Sequence, residues 1–451
     1  MRTDKTSVGK LGILFNLRDP LAKGRLCMLL QSAFASVATN LTSGLFYTGF
    51  LSSHGINIVE IGILFFIPYI ANIFSIFSPS ILERFKKRRG ILAAARVTYY
   101  TLNILAVTVM PYVITDRAAR MYAFIGIVFL SNIILALFSS GYPIWHLKFI
   151  PDEVRAEYFS VNSLVNAVVG CGASLGASIA ADALAGSAYE QRVIVILRLI
   201  GYAIALFDVF ILCLPKEYEY EKSGDKPRFS DVFKKPLTHK SFAVSMIVIA
   251  LYSFFAQIPA SSLNYFLLIT VKAEYTLITA IDFIYPIALF LLLPFWKKVL
   301  YRCGWFKTFA IGELLHVGTT LLYSCISHNN YLWVLPTVRI AQHIFGVGRN
   351  LAATNLLYVN MPLEDRTNYM SFYTVTVNLA NFLGMMSGTS FVAAFPDLDI
   401  NLFGLHFYNV QVLLWIQMIG QILVPLLVFK LLPILMKGES EPRQNIYVKK
   451  K

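Results

Sequence analysis

The sequence predicts an all-α integral membrane protein, with twelve transmembrane helices in two parallel-repeat six-helix bundles. Three observations predict it. Hydrophobic residues make up 57% of the 451 and charged residues only 14%, with a mean hydropathy of +0.63. A soluble chain carries about 25% charged residues. The apolar residues come in blocks of twenty or more, long enough to cross a hydrocarbon core of about 30 Å. The chain also writes one stretch twice: Pro151, Glu153, Arg155, Tyr158 and Ser160 recur as Pro362, Glu364, Arg366, Tyr369 and Ser371, at a constant offset of 211. A repeat of nearly half the chain divides it into two related halves.

In chain order, residues 1–25 read as a cytoplasmic N-terminal segment, basic but without a cleavable signal pattern. Six spans follow, at 26–51, 57–83, 90–113, 121–147, 160–186 and 191–214, making an N-terminal half of 26–214. Residues 215–241 hold Lys, Glu and Asp without an apolar run and read as a cytoplasmic linker. The second half, 242–436, carries spans at 242–270, 276–299, 308–328, 331–359, 371–395 and 405–436, and 437–451 is a cytoplasmic tail.

The net charge of +14 suits either nucleic-acid binding or a cytoplasmic membrane face. With the N-terminus inside, thirty of the 39 Lys and Arg fall on inside segments and four (Arg117, Arg120, Arg192, Lys272) on outside loops. The asymmetry accounts for the charge without nucleic acid and places both termini in the cytoplasm. The five scattered cysteines show no metal-binding spacing, so neither a metal nor a cofactor is expected.

Six plus six spans in a parallel repeat resemble the major facilitator superfamily. The segment from Pro79 through Glu83, Arg84 and Arg88 to Arg89 is similar to that family's loop signature between spans 2 and 3. It departs from it at Pro79, Glu83 and Lys86. The repeated Pro-x-Glu-x-Arg motif falls on the matching loops after spans 4 and 10. The resemblance implies alternating access, and Glu83, Arg84, Glu153, Arg155, Glu364 and Arg366 are the expected cytoplasmic gate; helix capping and topology anchoring are the competing reading. Gly172 with Gly176, and Gly384 with Gly388, are expected to permit close packing of spans 5 and 11.

In the family it resembles, spans 1, 4, 7 and 10 line the cavity. Span 1 offers Ser36, Asn40, Ser43 and Tyr47 on one face, and span 7 offers Gln257, Ser261 and Asn264. Span 4 adds Asn132 and Ser139. Span 10 is the most polar: Arg339, His343 and Asn350 lie within about 40° on the helix wheel, and a central Arg costs at least ~2.5–3.5 kcal/mol on insertion scales. The expected substrate-binding residues are therefore Asn40, Gln257, Asn264, Arg339, His343 and Asn350. Arg349 points elsewhere and is expected to pair structurally with Glu313. Glu313 and His316, three apart in span 9, read as snorkelling groups rather than a proton relay.

The function implied is secondary transport of a small polar solute (an organic anion, a sugar or a related metabolite), with protons or another ion as coupling partner, by a monomer in the cell membrane. Proton-driven efflux of amphipathic drugs is the alternative transport reading. A membrane-embedded enzyme or a non-transporting receptor is the alternative of another class. No nucleotide-binding motif supports direct ATP drive, and no catalytic constellation supports an enzyme.

Overall fold

The computed structural model describes residues 14, 19–150, 155–219, 229–362, 366–402 and 404–436. In chain order the helices are α1 (Pro20–Thr42), α2 (Gly44–Ser53), α3 (Ile58–Ile73), α4 (Ser78–Leu82), α5 (Arg89–Tyr100), α6 (Val107–Val113), α7 (Arg117–Phe138), α8 (Gly141–Leu147), α9 (Arg155–Ala183) and α10 (Glu190–Leu212). There follow α11 (Phe229–Thr238), α12 (Lys240–Gln257), α13 (Ala260–Tyr265), α14 (Tyr275–Asp282), α15 (Ile284–Cys303), α16 (Trp305–Ser324), α17 (Tyr331–Val359), α18 (Arg366–Ala394) and α19 (Asn409–Leu435).

Among the described residues, eight helical segments are long and apolar enough to cross a membrane: Ile58–Leu82, Arg89–Val113, Arg117–Leu147, Glu157–Ala183, Glu190–Leu212, Lys240–Thr270, Tyr275–Cys303 and Asn409–Leu435. The other four predicted spans are helical where expected, as α1 with α2, α16, α17 and α18. These four carry much of the chain's intramembrane polarity, including Asn40, Glu313, His316, Arg339 and Arg349.

Two regions differ from expectation. Residues 405–408 are strand rather than the start of the last span: Asp399–Leu402 (β1) and Leu405–Tyr408 (β2) form an antiparallel hairpin, with Asp399 opposite Tyr408 and Leu402 opposite Leu405. Gly404, at φ +79°, supplies the left-handed backbone that so tight a turn requires. The last helix then starts at Asn409, where the Tyr408 N–H donates to Gln411 Oε1 at 2.7 Å. Within the linker, Phe229–Thr238 is helical and packs against α18.

The chain forms two compact units. The first comprises Met1–Asn57, Phe74–Lys226 and Glu274–Phe283; the second comprises Ile58–Ile73, Pro227–Ala273 and Ile284–Lys451. Spans 2 and 8 are each divided. In span 2 the division falls at a 3-10 turn, Phe74–Phe77, after α3. In span 8 it falls at Phe283, between α14 and α15.

In the first unit α1 packs against α9 and α10, and α9 also holds α14. Asp182 near the end of α9 accepts from the Tyr275 and Thr276 N–H groups at 3.2 and 2.6 Å, which satisfies orphan donors at the start of α14. Tyr275 stacks on Phe46, with centroids 5.7 Å apart. Entry into α1 is fixed by Asp19, which accepts from the Leu21 N–H at 2.9 Å, with Pro20 at the first helical position. Arg25, 1% exposed, pairs with Asp19 at 2.6 Å and donates to the carbonyls of Leu14 and Phe149.

In the second unit α16 packs against α17 and α19, and α18 packs against α3 and α12. Glycine sets two of these approaches. A Cβ at Gly388 would lie 1.9 Å from the Ile258 carbonyl oxygen, and one at Gly384 would lie 2.2 Å from that of Phe254. This agrees with the packing role expected for that pair. The first-half pair does not behave alike: Gly176 meets nothing within 4 Å, and Gly172 only Phe283 at 4.0 Å. Close packing there belongs to Gly170, whose Cβ would lie 2.5 Å from Ser36 Oγ and 2.7 Å from Asn40 Nδ2.

Candidate substrate and ion site

Span 1 was expected to present one polar face from Ser36 to Tyr47. It is interrupted at Ser43, which adopts extended backbone (φ −122°, ψ −176°), and at Gly44 (φ +55°). A Ser-Gly pair is a common site of helix breaks. The break frees the Thr42 carbonyl, and Arg198 of α10 takes it at 2.7 Å, while its Nε donates to Thr108 Oγ1 at 2.9 Å. The guanidinium lies 5.0 Å from the Tyr47 ring centroid and 4.6 Å from that of Phe50. Tyr47 thus serves the buried cation rather than continuing the face of Ser36 and Asn40. Asn40 is half-buried and donates to the Ser36 carbonyl at 2.9 Å; Ser36 Oγ donates to the Asn166 carbonyl, and Asn166 Nδ2 to Ser32 Oγ at 2.6 Å.

Span 7 is also interrupted, at Ile258 and Pro259 between α12 and α13. Gln257 ends α12. Asn264 is half-buried in α13. The three-residue face proposed for span 7 is therefore split, because proline supplies no N–H to carry the helix through. In span 4, Asn132 is buried and donates to its own helix at Val128 O, 2.8 Å.

Span 10 brings several expected residues together in the second unit. Asn350 Nδ2 donates to the Tyr285 hydroxyl of α15 at 3.2 Å, and the His343 ring lies 5.5 Å from the Tyr285 ring. Arg349 Nε donates to Asn350 Oδ1 at 3.3 Å, and Arg349 Nη1 lies 3.5 Å from Glu313 Oε1. The expected Arg349–Glu313 pair is present. Glu313 does not snorkel: it is 2% exposed, eight residues into α16, and His316 is 3% exposed. Gly312 permits this approach, since a Cβ there would lie 2.8 Å from the Arg349 Cβ. Arg339 is half-buried on the same helix. Tyr285, which joins Asn350 to His343, was not anticipated; a lone tyrosine in an apolar run gives no spacing to read.

The first unit has its own buried charges. Asp208, fully buried, accepts from Arg96 at 2.7 Å and from the Tyr100 hydroxyl at 2.6 Å, and also from Gln31. Arg96 lies 5.1 Å from the Tyr142 ring centroid. Three side chains converge on the one carboxylate, which marks a structural tie across α1, α5 and α10.

At the loops, Glu83 is half-buried and Arg84 exposed, and neither makes an ion pair among the described residues. Arg155 is half-buried at the start of α9. Glu153, Glu364 and the Arg366 side chain lie outside what the structure describes. The loop after span 2 is instead tied to the linker: Arg89 N–H donates to Glu217 Oε1 at 2.9 Å, Arg89 Nη1 to the carbonyls of Cys213 and Pro215, and Lys87 lies 3.9 Å from Glu219.

A scan against family models matches residues 151–397 to the MFS/sugar transport protein family. The chain belongs to that family. It is accordingly a major facilitator superfamily protein, a secondary transporter of small solutes rather than an enzyme. A search of curated proteins finds none that matches its sequence. Solved structures share the fold. The nucleoside transporter NupG, in a mutant form, superposes with a TM-score of 0.68 at 13% identity, covering 91% of this chain and 99% of that one. A D-xylose-proton symporter gives 0.65 at 14%, covering 93% and 99%. A bacterial homologue of the iron transporter ferroportin gives 0.66 at 12%, covering 92% and 98%.

Proposed function

We propose that this MFS/sugar transport protein moves a neutral, hydroxylated solute, a sugar or nucleoside, by alternating access in the cell membrane, with both termini cytoplasmic and a proton as coupling ion. The carrying observation is the cluster on span 10. Arg349, the cation beside it, is already matched by Glu313, which leaves Asn350, Tyr285 and His343 as an amide, a hydroxyl and an imidazole. Such groups exchange hydrogen bonds with sugar hydroxyls. The interrupted helices of spans 1 and 7 agree with this, since transporters of many folds bind substrate at discontinuous helices. Two structural neighbours are a nucleoside transporter and a D-xylose-proton symporter.

The test is uptake of labelled D-xylose, uridine and glucuronate into vesicles reconstituted with wild type and with Asn350→Ala. Accumulation of a neutral probe, lost at least tenfold in the variant, supports the reading. Accumulation of glucuronate alone, or uptake indifferent to Asn350, overturns it. The duplicated Pro-x-Glu-x-Arg loops are proposed to act as the cytoplasmic gate. Arg155→Ala combined with Arg366→Ala should then change uptake rate while leaving probe affinity within about twofold.

A further inference from the structure

The second unit holds a buried pocket lined by Tyr252, Glu313, Arg349, Gln417 and Gln421, together with apolar residues of α12 and α19. Two acceptor oxygens in it have no hydrogen bond: Glu313 Oε1 and Gln421 Oε1, on residues 2% and 5% exposed. Glu313 Oε1 has only the 3.5 Å contact to Arg349, too long for a good charge-assisted bond. An orphaned acceptor in a buried site costs about 1–3 kcal/mol. Glu313 Oε1 is thus a buried carboxylate oxygen without a donor at hydrogen-bond distance among the described residues.

We infer that Glu313 is a proton-binding site, and that its proton is read at the substrate cluster through Arg349 and Asn350. This rests on the transport reading above. When Glu313 takes a proton on a carboxylate oxygen it becomes a neutral acid with one O–H donor, and Gln421 Oε1 supplies an acceptor. The ion pair to Arg349 is then lost. Arg349 is also bonded to Asn350, which is bonded to Tyr285, whose ring meets His343. Release of Arg349 therefore changes the partners of the groups that would hold the solute. Proton binding and solute binding share one chain of contacts, which is the requirement for a coupling energy between them.

The groups facing Glu313 are Arg349 from α17, Tyr252 from α12, and Gln417 and Gln421 from α19. On its own helix stands His316, whose Nδ1 is bonded to the Gly312 carbonyl at 2.7 Å and whose Nε2 has no hydrogen-bond partner among the described residues. Apart from Glu313 itself, Arg349 is the only full charge among the described residues lining the pocket.

The test uses infrared difference spectra of the full chain in lipid vesicles, recorded between about pH 5 and about pH 9. Wild type should gain a protonated-carboxyl band at low pH. Glu313→Gln should lose that band, Glu313→Asp should shift it, and Asn350→Ala should move its midpoint by several-fold in proton affinity. Glu313→Gln must elute as a single species; Glu313→Asp provides the readout if it does not. A wild-type band unaffected by either Glu313 variant overturns the site. A Glu313 band indifferent to Asn350→Ala overturns the linkage. A Glu313 band without uptake of any probe leaves the proton site standing and refutes the transport reading, so the two failures are distinct.

Discussion

Two glycine pairs occupy equivalent places in the repeat, and the structure gives them opposite consequences. At Gly388 a Cβ would sit 1.9 Å from the Ile258 carbonyl oxygen and 2.9 Å from its carbon. Both are backbone atoms and cannot rotate away. At Gly172 the nearest atom of any kind is a ring carbon of the Phe283 side chain, 4.0 Å distant. Replacing a mid-helix glycine by alanine gains roughly 0.5–1 kcal/mol of backbone entropy, and that gain applies to both positions. It cancels in a comparison of Gly388→Ala with Gly172→Ala. What remains is the overpacking cost, about 1–3 kcal/mol. At about 2–4 °C per kcal/mol for a unit of this size, Gly388→Ala should melt roughly 2–12 °C below Gly172→Ala. The measurement is apparent melting temperature by fluorescence-detected gel filtration in one detergent. Equal melting temperatures, or a less stable Gly172→Ala, would refute the packing argument.

Asp208→Asn removes the carboxylate that neutralises Arg96 in the first unit and should destabilise by about 3–5 kcal/mol. A melting series in which Arg96→Met restores part of the loss checks that the damage is an uncompensated cation. Gly312→Ala, with a Cβ 2.8 Å from that of Arg349, should cost about 1–3 kcal/mol and weaken the Glu313 pair, seen as a changed pH dependence of uptake. Asp19, ahead of the first span, is held below the usual carboxylate range, first by the Leu21 N–H and then by the Arg25 side chain. Its folded value is depressed, so its stabilisation is present above the unfolded value of about 3.9 and lost as pH falls through the folded one. Protease cleavage near Lys23 should rise over that acid window in wild type, whereas Asp19→Asn should be cleaved at all pH values.

The spans were legible because a bilayer demands long apolar runs, and their pairing was legible because the chain repeats itself. The ion pair of Glu313 with Arg349 was legible for a related reason: charges in a span need partners, and these two lie on consecutive spans. What was not legible depends on three-dimensional approach. Gly172 and Gly176 carry the sequence signature of close packing, yet Gly170 makes the approach, against the Ser36 and Asn40 side chains of α1. Glu313 near a helix start looked able to reach water, but α17 and α19 close over it. Tyr285 had no pattern to announce it. The hairpin before α19 was hidden because Leu405 and Phe407 extend an apolar run, and periodicity over four residues does not separate strand from helix.

The helix interruptions carry a further point about the repeat. Span 1 breaks at Ser43 and Gly44, and span 7 at Ile258 and Pro259. Span 2 breaks at Phe74–Phe77 and span 8 at Phe283. In a repeat of 211 residues, each break has its counterpart within a few positions, yet the residues differ. One half breaks span 1 with a left-handed glycine; the other breaks span 7 by withholding a backbone N–H at proline. The broken ends are also treated differently: Arg198 takes the freed Thr42 carbonyl in the first half, whereas in the second the Ile258 carbonyl is packed against Gly388. Two chemically unrelated solutions at one place in the fold mean that the interruption itself is what the architecture needs. Restoring a continuous helix, by Gly44→Ala in one half or Pro259→Ala in the other, should therefore impair uptake in both cases, although each removes a local helix breaker. Uptake preserved in either variant would show that break to be incidental.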